Sequence, residues 1–331
     1  MTGGWSATGL GALAALLIAA GSVGAAPLEL VVCAPGYPGS TQQAAPTMAA
    51  FASGVENAAG LPAGSLSAVY FETEAGGVER LAGSSLPNAA PAGAVAAEPG
   101  FALVPLPFFL KHEADLRMNP RLQVEALPGQ PDAPGSGVAA FGRGETTEVW
   151  NLVAKKGRVS SPTALDGWEI AGLPGYSPAF VRGVALSGWG PLPATLSVSF
   201  SPRILTLLRR AASGESVAVL ADRQQAAALK TLPFAADLEV VHRSLPVPGM
   251  ILCTVGDGAA KPQAEAIVST IATLDRSQAG MDLLAAMRIV RFVPLDAAAL
   301  AAARKSFAAA AADLAAARKS FAAAPAESRS R

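Results

Sequence analysis

Histidine and cysteine are both scarce in this chain: 331 residues contain only His112, His242, Cys33 and Cys253. Two cysteines exclude a disulfide-stapled scaffold, and no CxxC pair or finger-type spacing can be drawn from them, so no metal site is expected. His112 lies between Lys111 and Glu113 and His242 between Val241 and Arg243, outside any catalytic pattern, and both read as solvated or structural. The sequence lacks a GxSxG elbow, an HExxH zinc motif and a P-loop. Gly256-Asp257-Gly258 opens like a dinucleotide fingerprint, but Lys261 stands where a third glycine or alanine must pack. With no nucleophile set beside a base, no catalytic residue and no cofactor are expected, and the chain reads as a non-enzyme. Net charge is also missing, 25 basic residues against 25 acidic ones, which removes the bulk field that draws in nucleic acid or an anionic membrane. Basic residues are unevenly placed: none precedes Arg80, whereas Arg304, Lys305, Arg318, Lys319, Arg329 and Arg331 crowd the tail.

What the chain has is apolar material, 51% of its residues, enough for two ordinary cores. Leu10 to Ala20 is an uncharged run of signal-peptide length, and Gly21-Ser22-Val23-Gly24-Ala25 suits a signal peptidase. The expectation is a leader over 1–25, cleavage near Ala25, and an exported, periplasmic mature protein; retention of the leader as an anchor is the alternative.

Apolar runs at Leu28 to Cys33, Ser67 to Phe71 and Phe101 to Pro105 read as strands, with a helix between the first two ending near Gly60. Leu127 to Glu145 holds three prolines and five glycines and reads as a linker or surface insertion that crosses between lobes. The strand–helix pattern then restarts: strands at Val149 to Ala154, Trp168 to Ala171, Leu196 to Phe200 and Ser216 to Leu220, with helices from Pro178 and over Pro202 to Ala212. Further strands fall at Leu238 to Val241 and Met250 to Val255, with helices over Gln263 to Leu274 and Met281 to Ile289. The last core element is expected to end near Leu295. Beyond it Leu300-Ala-Ala-Ala-Arg-Lys-Ser-Phe recurs from Leu314, fourteen residues on, as an alanine-rich helix lying on the body or fraying in solvent. A chain stopped after Asp296 is therefore expected to fold.

Two loops resemble each other, Pro35-Gly36-Tyr37-Pro38-Gly39-Ser40-Thr41 and Pro174-Gly175-Tyr176-Ser177-Pro178, each between a strand and a helix. Ser177-Pro178 reads as an N-cap with proline at N1, leaving first-turn N–H groups to receive an anion. Gly36 and Gly39 permit close backbone approach, Ser40 and Thr41 offer hydroxyls, and Tyr37 and Tyr176 form walls; Pro46 is tolerable only near the helix start. The plain alternative is a pair of ordinary strand-to-helix turns. Trp150, Trp168 and Trp189 read as core or hinge residues rather than a ligand cage.

The stretch Ser160 to Ala171, the loop after it, and Gly214-Glu215-Ser216-Val217-Ala218-Val219-Leu220-Ala221-Asp222 resemble the phosphonate, phosphite and phosphate type of ABC-transporter substrate-binding proteins. The resemblance implies a two-lobed α/β type II periplasmic-binding-protein fold. Its parts would be 26–147 and 247–297 in lobe one, 148–246 in lobe two, hinges near 147–155 and 244–252, and a helical tail over 298–331. It implies a small anionic or zwitterionic ligand such as phosphate, phosphite or a phosphonate, a membrane permease as partner, and a monomer. Relatives carry a serine and threonine cluster in the second-lobe loop, where this chain keeps Ser177 as its hydroxyl donor. Asp222 stands where relatives place an acidic residue that holds a cationic group, or else caps the helix beginning Arg223-Gln224-Gln225; Glu72 and Thr73 are candidates for the same rim. The implied topology also sets Cys33 and Cys253 two strands apart, as free thiols. A sensor subunit of the same fold and an enzyme on the same scaffold are the rival functions.

Overall fold

A computed structural model describes residues 27–37, 39–83, 97–127 and 145–323. The expected leader and the interior of the proline- and glycine-rich segment lie outside these residues.

Leu28–Cys33 (β1) is buried along its whole length, as a parallel strand covered on both faces must be. Glu29 persists in that strand because Arg80 grips its carboxylate through bonds of 2.5 and 2.9 Å. The helix Thr41–Ala59 (α1) starts on a capping box between Ser40 and Gln43 and stops at Gly60, which takes the left-handed conformation (φ 66°). Pro46 lies inside α1 rather than at its start. Leu66–Phe71 (β2), Glu74–Leu81 (α2), Glu98–Pro105 (β3), Leu106–His112 (α3) and Met118–Ala126 (β4) complete the first pass through lobe one. The elements α2, α3 and β4 were not expected. Pro120 disguises β4, and it is accommodated where the pairing with the returning strand shifts register.

The proline- and glycine-rich segment does not carry the chain between lobes. Ala126 and Glu145 exchange backbone hydrogen bonds of 3.0 and 3.1 Å, so the segment leaves and returns at one point of lobe one. The crossing is made by Thr147–Glu148 (β5), which pairs antiparallel with Val247–Pro248 (β11) on the way back. Between them lie Asn151–Lys155 (β6), Glu169–Gly172 (β7), Pro178–Phe180 (α4) continuing as a π-turn to Ala185, Ser197–Phe200 (β8), Ile204–Ser213 (α5), Val217–Ala221 (β9), Arg223–Ala228 (α6) and Leu238–Arg243 (β10). After the return come Met250–Val255 (β12), Pro262–Ile271 (α7), Gln278–Ala286 (α8), Ile289–Pro294 (β13) and Ala297–Ala323 (α9).

Lobe one is a six-stranded sheet in the order β13-β4-β12-β3-β1-β2, and lobe two a five-stranded sheet in the order β10-β6-β9-β7-β8. The strands β1, β2 and β3 run parallel, as do β7, β8 and β9; the strands next to the crossings are antiparallel. Cys33 and Cys253 are buried free thiols, on strands that each flank β3.

One apolar cluster runs through both lobes, joining Val104, Phe108 and Ile251 of lobe one to Trp150, Tyr176 and Phe180. It also includes Leu300 and Ala303, only 1% and 3% exposed, which corrects the expectation that the core ends near Leu295. The first half of α9 crosses the Pro178–Ala185 helix so closely that a side chain on Gly183 would meet the carbonyl oxygen of Ser306 at 2.4 Å. On the lobe-one side Arg304 pairs with Glu113 at 2.9 Å and lies over the Phe109 ring. No helix among the described residues is long and apolar enough to cross a membrane.

Candidate functional site

The two similar loops are matching β-turns. Tyr37 N–H donates to the Ala34 carbonyl and Tyr176 N–H to the Leu173 carbonyl, each at 3.3 Å. Proline at the second position and glycine with positive φ at the third (Gly36 +83°, Gly175 +92°) are the type II requirement. The turns meet rather than facing across open space. A side chain on Gly36 would lie 2.7 Å from the Pro174 ring, and one on Gly175 2.8 Å from the Pro35 ring. Each proline is seated on the other loop's bare glycine.

Behind this contact the tyrosines converge. Trp150, at the mouth of β6, donates its indole N–H to the Tyr176 hydroxyl at 2.9 Å and packs edge-on against Tyr176 and Phe180. The Tyr37 hydroxyl is a partner of both Tyr176 and the Asp222 carboxylate. Burial, with the neighbouring Tyr176 and acidic groups adding to it, pushes the Tyr37 hydroxyl well above the ordinary tyrosine range. Asp222 caps α6, accepting from Gln225 N–H at 2.7 Å, and it is 2% exposed. It is therefore a cap and a cleft residue at once. Burial raises its carboxyl above the usual aspartate range, partly offset by these donors. Glu148 of β5 accepts from Val149 and Arg223 N–H at 2.8 and 2.9 Å, and burial, then the charge of Asp222, pushes it up to about 7. The Arg223 side chain is engaged by Glu145 and by the Thr147 carbonyl, and its Nε stays 4.0 Å from Glu148. Among the described residues no basic side chain comes within 4.0 Å of Asp222.

These groups border a cavity of about 560 Å³ at the hinge. Of the expected site residues, Tyr37, Ser40 and Asp222 line it, together with Gln43, Thr47, Tyr70, Glu145, Glu148, Trp150, Arg223 and Arg288. The remaining walls are mostly apolar and come mainly from lobe one, including Val32, Met48, Leu103, Val124, Met250 and Ile289. The other expected residues are not among the lining. Thr41 donates its N–H and hydroxyl to Glu72 at 3.0 and 2.5 Å, so a carboxylate of the chain itself occupies the start of α1 and is held below its usual range there. Thr73 caps α2. Tyr176 is buried under the turn contact, and Ser177 caps its own helix by accepting from Phe180 N–H at 3.2 Å.

Glu148, Arg223 and the apolar wall were not read from the sequence. Glu148 is one charge in a short linking stretch, and only the pairing of β5 with β11 brings it opposite Asp222's helix.

Two lobes joined by a two-stranded hinge, with a cavity beside the hinge, define the periplasmic-binding-protein fold. No protein-family model matches the sequence, and no curated protein matches it. Among solved structures the chain is similar to XAC2383 from Xanthomonas citri bound to ATP, with a TM-score of 0.62 and 11% identity over 85% of this chain and 98% of that one. It is similar to the binding-protein component of an ABC phosphonate transporter from Pseudomonas aeruginosa, with a TM-score of 0.52 and 15% identity over 85% and 86%. PhnD1 from Prochlorococcus marinus in complex with methylphosphonate gives 0.52 and 13% over 83% and 95%.

Proposed function

We propose that the chain is an exported, monomeric solute-binding protein that holds a small ligand beside the hinge and presents the closed form to an ABC-type permease. The observation that carries the reading is the hinge cavity, bordered by side chains from both lobes and containing the buried Asp222 carboxylate, which has no basic partner among the described residues. Closure couples to a ligand only through contacts that differ between open and closed forms. Tyr37 of lobe one and Asp222 of lobe two supply such a pair.

The oxyanion expected from the paired loops has weak support in this geometry. Thr41 at the start of α1 already serves Glu72, and Ser177, whose hydroxyl oxygen accepts from Phe180 N–H, lies outside the cavity lining. The acidic groups facing the cavity favour a ligand that carries positive charge, as a zwitterion does. Phosphonate and ATP, named with the similar structures, belong in the comparison panel.

Thermal unfolding of the purified protein with phosphate, phosphite, methylphosphonate, ATP, amino acids and amines tests the reading. A ligand at a hundredfold excess over its dissociation constant adds ~2.7 kcal/mol, enough to move the melting curve by several degrees. The binding role stands if at least one compound does so and Asp222→Asn alters its response. It fails if the panel is silent and native mass spectrometry of protein from its own host finds no small molecule retained.

A further inference from the structure

The cavity is divided by chemistry. The lobe-two helix start and the hinge contribute Asp222 and Glu148; lobe one contributes mostly hydrocarbon and thioether from α1, β1, β3, β4, β12, β13 and the end of α8, with Ser40, Gln43 and Thr47 as the polar groups among them. The volume of about 560 Å³ is well within the range of roughly 300–1,000 Å³ typical of sites that enclose drug-sized organic molecules. An inorganic oxyanion would leave most of the apolar wall uncovered. Met48, Met250 and Met287 all lie on that wall, and methionine side chains adapt their shape to irregular apolar bodies.

Charge selects the Asp222 side. Arg223 is the basic group nearest the carboxylates, and Glu145 and the Thr147 carbonyl engage it. The remaining basic residue of the lining, Arg288, is exposed on the turn into β13. Asp222 keeps N–H and hydroxyl donors and, among the described residues, lacks a cation within salt-bridge distance. The Tyr37 hydroxyl stands beside it.

We propose that the ligand is an organic amine with a hydrocarbon body and no oxyanion head: its ammonium group meets Asp222 and Glu148, and its body lies on the methionine-rich wall. This rests on the reading of the hinge cavity as the ligand site, and it narrows that reading to one chemical class.

The test is calorimetry on the full mature chain with three matched series: n-alkylamines from ethylamine to octylamine, the corresponding alcohols, and the corresponding carboxylates. Phenethylamine, methylphosphonate and inorganic phosphate complete the set. For the amines, affinity is expected to rise about fourfold per methylene until the wall is covered. Hexylamine should bind at least tenfold more tightly than hexanol, and hexanoate should not bind. Asp222→Asn should erase the preference of amine over alcohol while leaving the dependence on chain length. Because the matched series are compared on the unaltered protein, the result survives a variant that fails to fold.

A flat response to chain length, or hexanoate equalling hexylamine, overturns the proposal. Tight methylphosphonate or phosphate binding without amine binding overturns the amine class but preserves the solute-binding role. Silence from every compound overturns the amine class, and the role itself then rests on the retained-ligand measurement above.

Discussion

Stopping the chain after Asp296 removes α9, and the structure sets what that costs. Leu300 and Ala303 leave a core in which they are 1% and 3% exposed, and Phe307 leaves its edge. Loss of a buried leucine side chain costs about 3–5 kcal/mol where the surroundings cannot collapse. Here they cannot fully do so, because the face uncovered is the Pro178–Ala185 helix with the Phe109 ring beside it. The half-buried pair between Arg304 and Glu113 adds about 1 kcal/mol. A total on the order of 5 kcal/mol is a large share of a domain stability of about 5–15 kcal/mol. For a chain of this size the melting temperature should fall by roughly 8 °C. Stopping after Ala312 instead removes the second sequence copy, whose side chains over 313–319 are mostly exposed, and should cost less than about 1 kcal/mol. Far-UV circular dichroism against temperature and urea compares the two truncations with the parent. If the chain ending at Asp296 unfolds cooperatively within a degree or two of the parent, α9 is an appendage and its packing carries no stability.

Two further outcomes follow from the cleft. The Glu148 carboxyl is raised from 4.5 to about 7, so the fold holds that proton more tightly than the unfolded chain does; the stabilisation is complete below about 4.5 and is lost as pH rises through about 7. The full shift corresponds to a ceiling of ~3 kcal/mol, and the side chain is still 24% exposed, so Glu148→Gln should gain ~1–2 kcal/mol over the parent at pH 8 and nothing at pH 4. Urea midpoints of the pair measured across that range decide it, and parallel curves would refute it. Gly175→Ala places a methyl group 2.8 Å from the Pro35 ring on a backbone with φ +92°, and should destabilise by ~2–3 kcal/mol. The same change at Gly157, where φ is also positive and nothing lies within 4 Å, gives the backbone cost alone, so equal losses would show that the turn contact is empty of consequence.

The fold was legible because its signals are local. Unbroken apolar runs such as Leu28–Cys33 and Met250–Val255 declare buried strands, and the Pro-Gly pairs at 35–36 and 174–175 declare turns. The element β4 was hidden by one residue, since Met118, Leu122 and Val124 alternate correctly but Pro120 argues against a strand until its bulge is seen. The site was less legible because its decisive relations are long-range. Glu72 stands thirty-one residues from the helix start it occupies, and Glu148 stands seventy-five from the Arg223 N–H it accepts. Helix α9 looked peripheral because alanine-rich sequence has little apolar contrast, and Gly183, which admits it, belongs to the other lobe.

The reciprocal seating of Pro35 on Gly175 and Pro174 on Gly36 also makes the two turns a single heritable unit. A bulkier residue at either glycine removes the seat of a proline more than a hundred positions away in the chain, so drift in one turn is constrained by the state of the other. Among descendants of this sequence, the four positions should therefore change together or not at all, even where the rest of the two loops diverges freely.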